Sequence, residues 1–429
     1  MSGSIAGAEW LADRHLQKLL SVLRDQSEQA RIAGGAVRDA LIGRPVSDID
    51  VATTTTPDET MRRAKAAGFK PIPTGFEHGT VTVVAGARTY EVTTLRADVE
   101  TDGRHAKVVF GRDWQQDAER RDFAINALYA EADGTVIDMV GGVADLEARR
   151  VRFIGDPENR IREDCLRILR FFRFFAWYGS GRPDAQGLKA CARLKEGLDR
   201  LSAERVWSEL KKLLSAPDPS RAMLWMRQAG VLSRVLPESE KWGIDTIHPL
   251  VRAESDLGWP ADPLLRLEAI VPPDAERMAA LAARLKLSNA DSARLTNWAQ
   301  SPLPKHDTSE GAAARLLYDC DPQGLIDRLR TALAGARARA VESNEALVEA
   351  AGYARLLKLT ESWNRPVLPL RGADLEALGF QRGLRLGETL KALETEWIES
   401  GFRLDRDVLL ARAAERLAGE AAVEDRPQG

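Results

Sequence analysis

Cysteine is scarce in this chain: Cys165, Cys191 and Cys320 are scattered through 429 residues. Spacing that wide builds neither a Cys-based metal cluster nor a disulfide framework, and it suits a reducing cytosol. Net charge is nearly absent as well, at −3, so a polyanionic partner would have to meet a local basic surface. No apolar run reaches the ~20 residues that a bilayer demands. Asp13, Arg14, His15 and Lys18 interrupt the first twenty residues, against a secretory leader. The expectation is a cytoplasmic protein with no membrane association and no evident protein partner. What remains is ordinary: 44% hydrophobic and 29% charged residues, enough for a sizeable core spread over roughly two to four domains.

Element signals divide the chain unevenly. Over the first 150 residues, "ARIAG" and "SDIDVAT" read as strands around a short helix at 35–41, and "GTVTVVAGARTYEVTTL" reads as a hairpin. The polar, aperiodic "RADVETDGRHAKVVFGRDWQQDAE" reads as one long mobile loop. From Pro157 onward strands give way to helical periodicity, with Pro and Gly marking the ends. The fold class expected is α+β: a head with a small mixed sheet at 1–150, then an all-α neck at 151–218, body at 219–345 and tail at 346–429.

Chemistry gathers in a few short stretches. Asp48 and Asp50 stand two apart on a strand, so both project from one face. Mg²⁺ prefers such oxygen ligands and commonly shares them with substrate phosphates. Taken alone, D-x-D reads more readily as a solvated strand. Its neighbours change that balance, because Gly34 and Gly35 open a helix whose free N–H groups admit an anion, with Arg38 one turn inside. Glu91, on the later strand "YEVTTLR", is either a third metal carboxylate or a surface glutamate. In "ERRDFAINALYA", Arg120, Arg121 and Asp122 read as a helix start with Asn126 one turn on. That segment could hold phosphate and ribose, or be no more than a charged helix end. In "REDCLRILRFFRFF", Asp164, Arg167, Arg170 and Arg173 form a polar stripe, while Leu166, Leu169, Phe172 and Phe175 fill the other side. An Asp–Arg pair on that helix could face the edge of a base.

Taken in order, "GGAVRD" with "DID", "YEVTTLR", "RRDFAINAL", "EDCLRILR" and "LSAERVWSEL" resemble the class II nucleotidyltransferases of the polymerase β superfamily, the tRNA CCA-adding enzymes and bacterial poly(A) polymerases. The segment "LPLRGADLEALGFQRGLRLGETLKALETEWIESG" resembles the tail of bacterial CCA-adding members. The resemblance implies transfer of CMP, CMP and AMP from CTP and ATP to the tRNA 3′ end. It implies that Asp48 and Asp50 bind Mg²⁺ with Glu91 as third carboxylate, and that Gly35 and Arg38 hold the triphosphate. Arg121 would contact the nucleotide, and Asp122 and Asn126 its ribose. Asp164 and Arg167 would read the base with Glu163 bracing Arg167, and Arg170 and Arg173 would line the site. A mobile loop that helps switch from CTP to ATP matches Asp102-Gly103-Arg104-His105.

Competing readings are a poly(A) polymerase, a split-function enzyme adding only CC or only A, and a catalytically silent RNA-binding protein; the long loop around Arg104 disfavours the CC-only enzyme, and the intact aspartate pair disfavours the last. Some family members carry an HD phosphohydrolase domain, but of five histidines here only His248 is an upstream candidate within the helical body. "KHDTSEGAAARLL" is expected to make His306-Asp307 part of a helix start, with Asp307, Thr308 or Ser309 as N-cap. For tRNA, Arg328, Arg330, Arg337 and Arg339 offer a basic helix face, or simply exposed charge. Gly372, Gly379 and Gly383 mark helix boundaries in the tail.

Overall fold

The computed structural model describes residues 3–86, 88–98, 108–239 and 244–424. The chain divides into two compact units, Met1–Pro237 and Glu238–Gly429. The divisions expected at 150 and 218 fall inside the first unit and the one at 345 inside the second, so they stand as proposals about segments within units.

The first unit is built on a seven-stranded sheet. Its strands are β1 (Ala30–Ala33), β2 (Ile49–Thr53), β3 (Lys70–Gly75), β4 (Thr80–Ala85), β5 (Arg88–Thr94), β8 (Leu128–Ala130) and β9 (Val136–Asp138), in the order β3-β4-β5-β2-β1-β8-β9. β2 and β5 run parallel and the other pairs antiparallel. Alternation does the folding: in β4, Val81, Val83 and Ala85 are buried while Thr80, Thr82 and Val84 are only half-buried. The threonine run after the aspartates fastens the far end of β2. Buried Thr55 shares hydroxyl bonds with Thr53 and Thr60, and Thr94 donates to the Thr55 carbonyl. Thr56 then caps the helix Pro57–Ala66, which has proline in its first turn.

Three expectations change. The stretch read as one loop contains paired strands β6 (Arg96–Asp98) and β7 (Val108–Phe110) and the helix Trp114–Glu119. That helix has only six residues, too short to show a period. It exists because Trp114 and Ala118 join the apolar cluster under the sheet, with Trp114 edge-on to Tyr129 at 5.1 Å. Arg120, Arg121 and Asp122 therefore follow a helix end, and Asn126 closes a 3-10 turn, Ala124–Asn126. The arginine stripe is also broken. Asp164 is extended (φ −151°, ψ 107°) between the helices Pro157–Glu163 and Leu166–Tyr178. Its carboxylate accepts the Leu166 N–H at 3.0 Å, so the side chain satisfies the next helix's first turn instead of continuing the last one.

Leu166, Leu169, Phe172 and Phe175 are buried as expected, together with Phe171 and Phe174. Phe171 stacks on Phe153 at 5.5 Å, and Phe123 meets Phe153 at 4.8 Å and Phe174 at 5.2 Å. This aromatic block fixes the helix Leu166–Tyr178 against the turn that carries Arg121 and Asp122.

The described residues of the second unit form helices joined by loops, without a strand. Ser309 caps the helix Glu310–Asp319, and just before it His306 packs edge-on to Tyr353. The arginines of the helix Pro322–Arg339 are not a free cationic face. Arg330 donates to Glu361 at 2.8 Å, Arg337 to Asp256 at 3.0 Å and Arg339 to Glu349 at 2.7 Å. Gly372 opens a helix and Gly383 precedes another, as the tail pattern implied. No described helix is long and apolar enough to cross a membrane.

Candidate active site

Gly34 starts the site. It takes φ 65° and ψ −116°, a backbone that side-chain-bearing residues avoid, and a Cβ there would press on Arg121 Nη1 at 3.2 Å. This bend carries the chain from β1 straight into the helix Gly35–Leu41 and brings Arg38 underneath. Arg38 is buried, stacks on Tyr178 at 4.1 Å, and donates to Asp39 and to the Asn126 amide oxygen.

The carboxylates lie beside that bend. Asp50 on β2 is directly in register with Glu91 on the parallel β5, so the two acids are lateral neighbours, and Asp48 precedes them by two residues. Like charges in that position repel. Asp50 keeps an edge exposed to solvent, yet partial desolvation of its carboxyl and the charges of Glu91 and Asp48 raise it above its usual range, with Arg121 opposing them. Asp48 is exposed and accepts from Ser47 at 3.0 Å. Among the described residues no three His, Cys, Asp or Glu side chains converge into a ready metal cage. The donor set nonetheless fits a hard cation: three carboxylates, Asp50 and Glu91 on adjacent strands and Asp48 just before the first of them, supply oxygen ligands alone.

A network that the motifs did not reveal holds the arginines. Asp117 is 1% exposed. It accepts from Arg120 Nε at 2.7 Å, Arg121 Nη2 at 3.1 Å and the Tyr129 hydroxyl at 2.6 Å. Burial alone would raise this acid, but the two arginines hold it below its usual range. Asp122, also buried, accepts from Arg170 Nε at 2.7 Å, Asn126 Nδ2 at 3.0 Å and the Phe123 N–H at 2.9 Å. Those partners outweigh the burial that would raise it. The spacing of Asp117 to Arg120 and Arg121, three and four residues, was the available signal.

The Asp164–Arg167 pair is held at both ends. Arg167 donates to Glu163 and, at 2.7 Å, to the Arg160 carbonyl. Arg160 in turn grips the carbonyls of Arg120 and Arg121. Asp164 accepts from Arg205 at 2.7 Å, a partner from the helix Ala203–Leu214 that sequence reasoning did not single out.

These elements bound one cavity of about 470 Å³, within the ~300–1,000 Å³ usual for small-molecule sites. Gly34, Gly35, Arg38, Asp50, Arg121, Asp122, Asn126, Asp164, Arg167 and Arg170 line it, joined by Arg120, Leu166, Phe174 and Arg205. Asp48, Glu91 and Glu163 stand outside its lining. So does Arg173, which donates to the buried Glu209 and lies 4.1 Å over the Phe174 ring. Asp102 and Arg104 fall outside the described residues. A broader depression of about 830 Å³, between the helices Arg14–Leu23 and Pro57–Ala66, contains none of the candidate residues.

Replacing Asp117 by Asn should release Arg121 without touching the cavity floor. The expected result is a nucleotide KM raised about tenfold with a smaller fall in kcat, as loss of positioning implies. Steady-state kinetics would show it, and an unchanged KM would remove Asp117 from the site.

Comparison with known proteins adds the following. Residues 30–152 match the family model described as Poly A polymerase head domain, and residues 183–242 match "Probable RNA and SrmB- binding site of polymerase A". The mouse protein "CCA tRNA nucleotidyltransferase 1, mitochondrial" is 34% identical over 403 residues, covering 92% of this chain and 89% of its own. A CCA-adding enzyme of Geobacillus thermodenitrificans is 39% identical over 235 residues, 53% of this chain and 56% of its own. The solved Bacillus stearothermophilus CCA-adding enzyme in complex with CTP superposes with a TM-score of 0.68 at 26% identity, covering 95% of this chain and 98% of its own.

Proposed function

The chain belongs to the class II CCA tRNA nucleotidyltransferases, and from that premise we propose that its 470 Å³ cavity selects CTP and then ATP for addition to a tRNA 3′ end. The observation that carries this reading is the shared lining: the Asp50 strand end and the Asp164–Arg167 pair face one volume. A nucleoside triphosphate needs both, the first for its phosphates and the second for its base.

In the reaction the terminal 3′-hydroxyl of tRNA attacks the α-phosphate, and pyrophosphate leaves. Asp48, Asp50 and Glu91 would hold divalent ions, Mg²⁺ in this proposal. Such ions, when bound, lower the pKa of the attacking hydroxyl and neutralise charge on the leaving group. Gly34 leaves room for the phosphates, and Arg38, Arg121 and Arg170 supply fixed positive charge that needs no reorganisation. Asp122 and Asn126, already bonded to each other, would accept and donate to ribose hydroxyls. Asp164 offers an acceptor and Arg167 donors to the base edge. Arg173 supports the wall through Glu209. No side chain acts as a nucleophile; catalysis is positioning and charge neutralisation.

The cytoplasm, as a reducing compartment, belongs to the same proposal, supported by three free thiols. The mouse relative's name specifies a mitochondrial location.

The test offers a tRNA ending at its discriminator base with each nucleotide, singly and together. Addition of two residues with CTP alone, and of three with CTP and ATP, is the expected result. An open-ended adenylate ladder would assign the chain to the poly(A) polymerases that its head-domain match also names.

A further inference from the structure

In the second unit a cavity of about 180 Å³ lies among the helices Pro263–Glu268, Asn289–Gln300 and Pro322–Arg339. Three of its lining residues carry buried polar atoms without partners. Glu268 is 2% exposed and neither carboxyl oxygen is bonded. Trp298 is equally buried and its indole N–H donates to nothing; Arg328 Nε is in the same condition. The Arg328 guanidinium lies 6.0 Å from the Trp298 ring centre. An acid and a cation thus face one space without closing on each other.

Native interiors satisfy almost all buried polar groups, and the neighbouring acids here obey that rule. Glu254 takes Arg266 at 2.7 Å, and Asp327 takes Arg294 at 2.8 Å and Gln323 at 2.9 Å. Four buried polar atoms without partners meet at this cavity among the described residues: both Glu268 carboxyl oxygens, Trp298 Nε1 and Arg328 Nε. Its rim reaches solvent, since Leu303 is exposed and Pro273 and Thr331 are half-buried. Burial, with Asp327 nearby, pushes the Glu268 carboxyl well above its usual range, so it can donate as well as accept.

We infer that this cavity binds a planar ligand of nucleobase type, whose edge sets N–H groups beside carbonyl or ring-nitrogen acceptors. The N–H groups would go to Glu268, and the acceptors would take the Trp298 and Arg328 N–H groups. An amine would leave both donors unsatisfied, and a simple anion, which brings no N–H, would leave the Glu268 carbonyl oxygen without a donor. An amide-like edge satisfies all three, and Leu250, Ala269 and Leu303 cover its apolar faces. At ~30 Å³ per molecule the same space would hold about six waters, so water is the competing occupant. The base could come from a free nucleoside or be turned out of an RNA strand. The inference does not depend on the assignment of the catalytic cavity.

The test follows the Trp298 indole N–H resonance in the full-length protein saturated with CTP, the signal being assigned with Trp298→Phe. Uridine, guanosine, N3-methyluridine (which lacks the N–H) and tRNA are titrated separately. Saturable shifts with uridine or guanosine, and at least about tenfold weaker binding of N3-methyluridine, are expected. A shift with tRNA alone would identify the base as part of RNA. Glu268→Leu should abolish either response, and Glu268→Gln, which keeps size and polarity, guards against a folding defect. A resonance unmoved by every probe would mean a water-filled cavity and overturn the inference, as would an undiminished response in Glu268→Leu.

Discussion

Replacing Asp50 by Asn is expected to cut CMP incorporation about a thousandfold, ~4 kcal/mol of transition-state stabilisation, without weakening the fold. The second half of that expectation follows from the electrostatics. Partial desolvation and Glu91 raise the Asp50 carboxyl above its ordinary 3.8, so folding disfavours the ionised form. Its contribution to stability is largest below pH 3.8 and is lost as pH rises through the raised value. At pH 7 to 8 without metal, Asp50→Asn should therefore melt no lower than the parent protein, and the difference should vanish below pH 3.8. Added Mg²⁺ should raise the melting temperature of the parent and leave the variant unmoved. Asp48→Asn should show a comparable loss of activity. Calorimetric melts with and without Mg²⁺, paired with single-turnover incorporation, test both parts. A variant that is active, or that still gains stability from Mg²⁺, would place the metal elsewhere.

The second large effect concerns base choice. Arg167→Ala and Asp164→Ala should each erode the preference for CTP and ATP over UTP and GTP by about 10- to 100-fold, the ~1–3 kcal/mol of a good bidentate contact. Metal-dependent stabilisation should persist. Glu163→Gln should be milder, because the Arg160 carbonyl also holds Arg167. Ratios of kcat/KM across the four nucleotides decide the matter, and unchanged ratios would remove both residues from base selection.

Much of the architecture was legible because it depends on local rules. The hairpin β4–β5, the switch from strands to helices after Pro157 and the cap at Ser309 all follow from short-range chemistry. The aspartates and glycines were legible for the same reason, being confined to one strand–turn–helix. What escaped was set by distant partners. The helix Trp114–Glu119 rests on Trp114 meeting Tyr129 and Arg31. The break at Asp164 is the local exception, a side chain bonding the backbone two residues on in place of continuing the helix. Arg205 reaches Asp164 across 41 residues, and no local pattern announces such a pairing. The acids that pair with the arginines of the second unit, Asp256, Glu349 and Glu361, escaped for a related reason, since they lie on other helices or far along the chain.

A titration of CTP, with Mg²⁺ present and ATP absent or saturating, most directly tests whether one cavity serves both nucleotides. One CTP per chain, displaced by ATP and lost together with ATP binding in Arg121→Ala, is the expected result. Simultaneous binding of CTP and ATP at two independent sites would contradict it.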